Sequence, residues 1–143
     1  MTPDDHKAVA RRFWEELWNQ WRYDLIPELL DPRLTFRGSL GVEVRGHDGF
    51  RHYMDIVRTA FPDFHNTIDD LLADGDLLAA RLTLRGTHYG PVLGIVPTGK
   101  PVSYRGMALF RFKDGKIVDG WVLGDALGLK EQLDPFPRPG APA

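Results

Sequence analysis

Few side chains in this sequence could move a proton or steady a developing charge. Asp125 stands four residues after Trp121, where the apolar stretch KIVDGWVLG gives way to a polar one. A lone carboxylate at that point can serve as a general acid or base at the mouth of a pocket, or it can cap the helix that follows. His88 closes a long apolar run at GTHYG, and His65 sits in FPDFH. Imidazoles titrate near neutral pH, which suits proton transfer, and beside glycine turns they also serve to hold backbone. Tyr104 and Tyr53 carry phenols that can donate to a carbonyl or enolate oxygen, or simply bond backbone in a core. Trp14 and Trp18, four apart, can form an aromatic wall or ordinary packing. The histidines show no paired ligand spacing, and there are no cysteines, so no metal site, disulfide or thiol nucleophile is expected.

These residues need elements to hold them. Thr2-Pro3-Asp4-Asp5 is a helix start, and Val9, Phe13 and Leu17 repeat at helical spacing through about Trp21. A short helix over Tyr23 to Leu30 precedes Asp31-Pro32. Strands are predicted over Leu34 to Arg37, which holds Phe36, and over Val42 to Arg45. A helix from Gly49 to Ala60 shows Phe50, Tyr53, Met54 and Val57 on one face. Strands over Asn66 to Asp74, Leu77 to His88, Pro101 to Lys113 and Lys116 to Leu123 follow, with a final helix over Asp125 to Leu133. Asp114-Gly115 is a two-residue hairpin signal, because both central positions of such a turn favour positive φ. Helices first and an antiparallel meander after predict an α+β fold: a curved, mainly antiparallel sheet with about three helices on one face, forming a cone around an internal pocket. The Gly/Pro loop Tyr89 to Lys100 is expected to lie over its mouth as a lid.

The 143 residues fit a single domain, read as 1–134, with a Pro-rich tail at 135–143 expected to be disordered. A net charge of −2 without a basic block argues against nucleic acid. No apolar run reaches the roughly 20 residues of a membrane span, and MTPDDHKAVARR lacks the apolar centre of a secretory signal, so the cytoplasm is the expected location.

Several segments resemble the SnoaL-like polyketide cyclases of the nuclear-transport-factor-2-like superfamily. They are Phe61 to Gly90, Pro91 to Ile117, FRFKDGKIVDGWVLGDALGLKEQL from Phe110 to Leu133, and within it D-A-L-G-L-x-x-Q-L from Asp125. The resemblance implies an α+β barrel without cofactor or metal, often a homodimer, that binds a hydrophobic, polyketide-like molecule. It implies ring formation, with a cofactor-independent hydroxylase, an epoxide-opening enzyme and a non-catalytic binder as alternatives. The family's last strand usually carries a His and an Asp two residues apart, facing the cavity. The matching positions here are Gly120 and Val122. That match sets strand parity: Val118, Gly120, Val122 and Gly124 inward, with Tyr104, Ala108 and Phe110 inward on the preceding strand. Two small residues in place of His and Asp are expected to enlarge the pocket. Catalysis would then fall to Asp125, His88 and Tyr104, and binding to Trp14, Trp18, Tyr53, His65, Phe36, Ala108, Phe110, Gly120 and Val122. Trp121, Leu123, Arg105 and Arg111 would face outward, toward a second copy.

Overall fold

The structure, a computed structural model, describes residues 1–134; the tail at 135–143 lies outside the described residues. Its elements are α1 (Pro3–Arg12), α2 (Ile26–Leu29), β1 (Leu30–Arg37), β2 (Glu43–Arg45), α3 (Gly46–Ala60), β3 (His65–Asp74), β4 (Leu77–Thr87), β5 (Pro101–Lys113), β6 (Lys116–Gly124) and α4 (Ala126–Leu133). The strands form one six-stranded sheet in the order β2-β1-β6-β5-β4-β3. Four of the five pairings are antiparallel; β1 and β6 run parallel. The sheet is therefore mixed and does not close on itself, so the expected barrel is an open, curved sheet completed by helices. No helix among the described residues is long and apolar enough to cross a membrane.

Local chemistry accounts for the element ends. Thr2 and Asp5 form a reciprocal capping box: the Asp5 N–H donates to Thr2 Oγ1 at 3.2 Å and the Thr2 N–H to Asp5 Oδ2 at 2.7 Å. In the last hairpin Asp114 and Gly115 have φ of 49° and 78°, as the turn requires. The first helix does not run evenly to Trp21. From Phe13 to Trp18 it widens into a π-helix, seen in the Asn19 N–H to Trp14 carbonyl bond at 3.0 Å. This turn buries Phe13, Trp14, Leu17 and Trp18 together. The predicted helix over Tyr23 to Leu30 splits into a 3-10 turn, Tyr23–Leu25, and α2. β1 begins at Leu30 rather than Leu34, because it finds β6 as a partner.

Side-chain alternation orders the core. On β5 every second residue from Val102 to Phe112 is buried, and on β4 Leu78, Ala80, Leu82, Leu84 and Gly86 match them across the ladder. One strand departs from the expected parity. The β5–β6 register shifts between Arg111 and Phe112, so Ile117, not Val118, is fully buried. A bulge adds one residue and flips the faces beyond it. Gly120 and Val122 lie past the bulge, on the inner face.

At the open edge, Asn19 substitutes for a missing strand. Its amide accepts the Asn66 N–H at 2.7 Å and donates to the Asn66 carbonyl at 2.9 Å. This satisfies both backbone groups of a buried residue on an edge strand. Asn19→Ala is expected to cost about 1–3 kcal/mol in urea unfolding and to speed hydrogen exchange at the Asn66 amide, because a buried N–H loses its acceptor. Unchanged exchange at that amide would show that the clasp is not needed.

Candidate active site

The concave face of the sheet is closed by the π-turn and α3, and an aromatic cluster fills the space between. Trp14 stacks on Phe110 with centroids 4.9 Å apart, and Trp18 meets Phe50, Tyr53 and Phe64 edge to face. Phe36 touches Phe13, Phe50, Tyr53 and Phe110. Within this cluster lies a cavity of about 20 Å³. Its apolar walls are Phe13, Trp14, Trp18, Phe36, Phe64, Leu82, Leu84 and Val122, and its polar side comes from Gly38, Ser39, Tyr53 and Asn66. That volume suits one water molecule. It is far below the roughly 300 Å³ or more that small-molecule sites enclose.

Glycine at position 120 explains much of this. Gly120 pairs with Phe36 on one side and Phe110 on the other. A Cβ at 120 would stand 2.5 Å from Phe36 Cδ2 and 3.2 Å from Phe110 Cε1. The room expected from the missing side chain is therefore taken by the Phe36 ring, and the pocket is not enlarged. Val122 does line the cavity, and Ala108, its cross-strand partner, is buried beside it.

The polar side is a hydroxyl cluster. Ser39 Oγ and Tyr104 Oη lie 2.9 Å apart and are buried. Tyr53 reaches the same turn from α3. Burial pushes its phenol up to about 12, against the pull of the Ser39 hydroxyl and the Leu40 and Ser39 N–H groups. Burial pushes the Tyr104 phenol up further still, with Ser39 opposing. Both phenols hold their protons at neutral pH, so they act as hydrogen-bond donors rather than bases.

The remaining sequence candidates lie elsewhere. His88 is fully buried at the end of β4, where its Nδ1 accepts the Thr98 N–H at 3.2 Å. A backbone N–H can only donate, so the ring proton is on Nε2, which has no partner among the described residues. The ring lies 6.1 Å from Phe61 and does not line the cavity. His88 instead holds the 89–100 loop, since its backbone also bonds Lys100 and Gly99. No residue of that loop lines the cavity, so it does not form the expected lid there. His65 is exposed in a groove with Glu15, Asn19 and Gln20. Alternation along β3 turns Asn66 inward in its place. Asp125 is exposed; it accepts the Gly128 N–H at 2.9 Å as N-cap of α4 and borders a groove on the outer face with Leu123 and Met107. Sequence reasoning missed Ser39 and Asn66. The β3–β4 register, which sets Asn66 opposite the inward Leu84, is what turns it to the cavity. Among the described residues no three His, Asp or Glu side chains gather as a metal site.

A mixed, open α+β sheet with a closed aromatic interior defines the fold class. The chain belongs to the SnoaL-like polyketide cyclase family, whose profile matches residues 8–133. It is 30% identical over 128 residues to the aklanonic acid methyl ester cyclase DnrD of Streptomyces peucetius, covering 87% of this chain and 88% of that one. Its structure is similar to AclR of Streptomyces galilaeus, a candidate hydroxylase, with a TM-score of 0.81, 29% identity, and 99% of this chain and 87% of that one covered. It is also similar to TsrD of Streptomyces laurentii, with a TM-score of 0.84, 26% identity, and 95% and 99% covered.

Gly120→Ala is expected to destabilise by about 1–3 kcal/mol through overpacking against Phe36. In a Phe36→Leu background the same change should cost clearly less, giving a coupling measurable by urea unfolding. Additive effects would mean that the ring does not occupy the space at 120.

Proposed function

We propose that this protein is a cyclase that folds a hydrophobic, polycyclic ketone in its concave core and promotes carbon–carbon ring closure. The observation that carries the reading is one hydroxyl cluster, Tyr104, Ser39 and Tyr53, against a wall that is apolar apart from Asn66. In an aldol-type closure an acidic C–H enolises and its electron pair attacks a carbonyl carbon. The carbonyl π pair moves to oxygen, which gains a proton, so the product is an isomer of the substrate. The aromatic wall holds the chain in the reactive shape, and such positioning supplies several kcal/mol. A neutral phenol then donates a hydrogen bond to the oxygen that gains charge. Enolisation is left to the acidity of the substrate, since Gly120 and Val122 offer no base. Because the cavity holds about 20 Å³, binding requires the Phe36, Trp14 and Trp18 rings to part. Asp125 has no part in this reading, because it caps α4 on the outer face.

The reading is tested with aklanonic acid methyl ester, the substrate named for the relatives. It predicts a new product of unchanged mass, and a loss of roughly tenfold or more in rate for Tyr53→Phe. Specific binding with no product contradicts it and supports a carrier role. The likeness to AclR favours a second reading, hydroxylation, which would show as a product heavier by one oxygen atom.

We also infer a homodimer through the outer face of the sheet. There Met107 pairs with Leu123 and Leu109 with Trp121, all four exposed, with Arg81, Arg105 and Arg111 around them. An apolar strip of that kind favours cover by a partner surface. Sedimentation should give a dimer that Leu123→Glu converts to monomer; a wild-type monomer at micromolar concentration contradicts the inference.

A further inference from the structure

The turn between β1 and β2 places more hydrogen-bonding groups on the cavity than its length requires. The Tyr53 hydroxyl lies directly over Gly38, where a methyl group would overlap it. It faces the Ser39 hydroxyl and the N–H groups of Ser39 and Leu40. Ser39 in turn meets the Tyr104 hydroxyl at 2.9 Å. Gly38, Ser39 and Tyr53 line the cavity, whereas Tyr104 is buried behind them.

Proton counting gives this arrangement a consequence. Two backbone N–H groups can only donate, and they face the Tyr53 oxygen. Three hydroxyls in a row carry three protons but can share at most two links, the Tyr104–Ser39 bond and one between Ser39 and the Tyr53 hydroxyl it faces. One O–H is always left over. Leaving it on Tyr104 would strand a donor in the core, at a cost of about 1–3 kcal/mol. The spare proton therefore belongs to Ser39 or Tyr53, the two members that face the cavity. Tyr104 fixes this outcome by giving its own proton to Ser39, which makes it a positioning residue.

We propose that the Ser39–Tyr53 corner is a recognition site for a ketone or enolate oxygen, presenting one O–H donor to a polycyclic ligand. The proposal rests on the reading that the concave core takes such a ligand, and it names which atom of that ligand the protein reads. Gly38 is part of the site, because only a residue without Cβ lets Tyr53 reach the turn.

The test compares two probes of matched shape and charge, anthraquinone-2-sulfonate and anthracene-2-sulfonate, by isothermal titration calorimetry on the full chain. Only the first carries ring carbonyls. The wild type should bind the quinone roughly three- to tenfold more tightly, the worth of one neutral hydrogen bond. The Ser39→Ala/Tyr53→Phe double variant should bind both probes equally. Ser39→Thr, which keeps a hydroxyl, should retain the preference, and so, in part, should Tyr53→Phe, because Ser39 still has a proton to offer. These single variants carry the test if the double variant does not unfold cooperatively. A wild type without preference, or a double variant that keeps it, overturns the oxygen site while leaving the core as a binding cavity. Failure of both probes to bind the wild type overturns the cavity reading and this inference with it.

Discussion

The Phe36 ring over Gly120 is the contact on which the interior of this protein depends. Phe36 and Phe110 flank the glycine in adjacent strands, and the ring of Phe36 fills the place where a side chain would stand. From there it touches Phe13, Phe50 and Tyr53, joining the π-turn, α3 and the sheet in one aromatic cluster. A protein core packs to near crystal density, so a deleted side chain survives as a gap only when no neighbour can fill it. Here a neighbour does. At Gly120 that space belongs to aromatic carbon.

The polar chemistry lies instead at the turn after β1, beside the end of β6. With no carboxylate on the inner face of β6, the hydroxyls of Ser39 and Tyr53, backed by that of Tyr104, are the groups gathered at the cavity, joined there by the Asn66 side chain. Buried phenols raised well above their ordinary range cannot accept a proton at neutral pH, but they can donate to an oxygen as it becomes negative. Fold, aromatic packing and hydroxyl cluster together describe a mould with one polar corner. In the reading proposed above, the shape imposed on the ligand does more than acid–base exchange.

Much of the fold was legible because a strand with one buried face announces itself by alternation. β5 obeys that rule over thirteen residues, and the Asp114-Gly115 turn specifies its hairpin by dihedral preference alone. What was not legible depended on events that alternation cannot show. The bulge at Val118 and the π-turn at Phe13–Trp18 are each a one-residue change of register, set by packing across the core. Ser39 lay in GSLG, which reads as a turn, and only the approach of Tyr53 and Tyr104 from distant elements gives it a role. Asp125 could be read from sequence as a cap or as a catalyst. The structure shows the cap, because its side chain turns to the Gly128 N–H outside the cone.

The central claim is that Tyr53 and Tyr104 are protonated donors buried in the core. Ultraviolet titration of the four tyrosines tests it directly. Free phenols ionise near pH 10. A folded-state value raised above the unfolded one means that the native state holds its proton more tightly, so the stability contributed is complete below pH 10 and lost as pH rises through the folded value. Tyr23, raised by partial burial, should titrate above the ordinary range. Tyr53 should stay protonated to about pH 12, and Tyr104 beyond it, with stability declining from pH 10 upward. Tyr53 and Tyr104 ionising near pH 10 in a protein that remains folded would contradict the account.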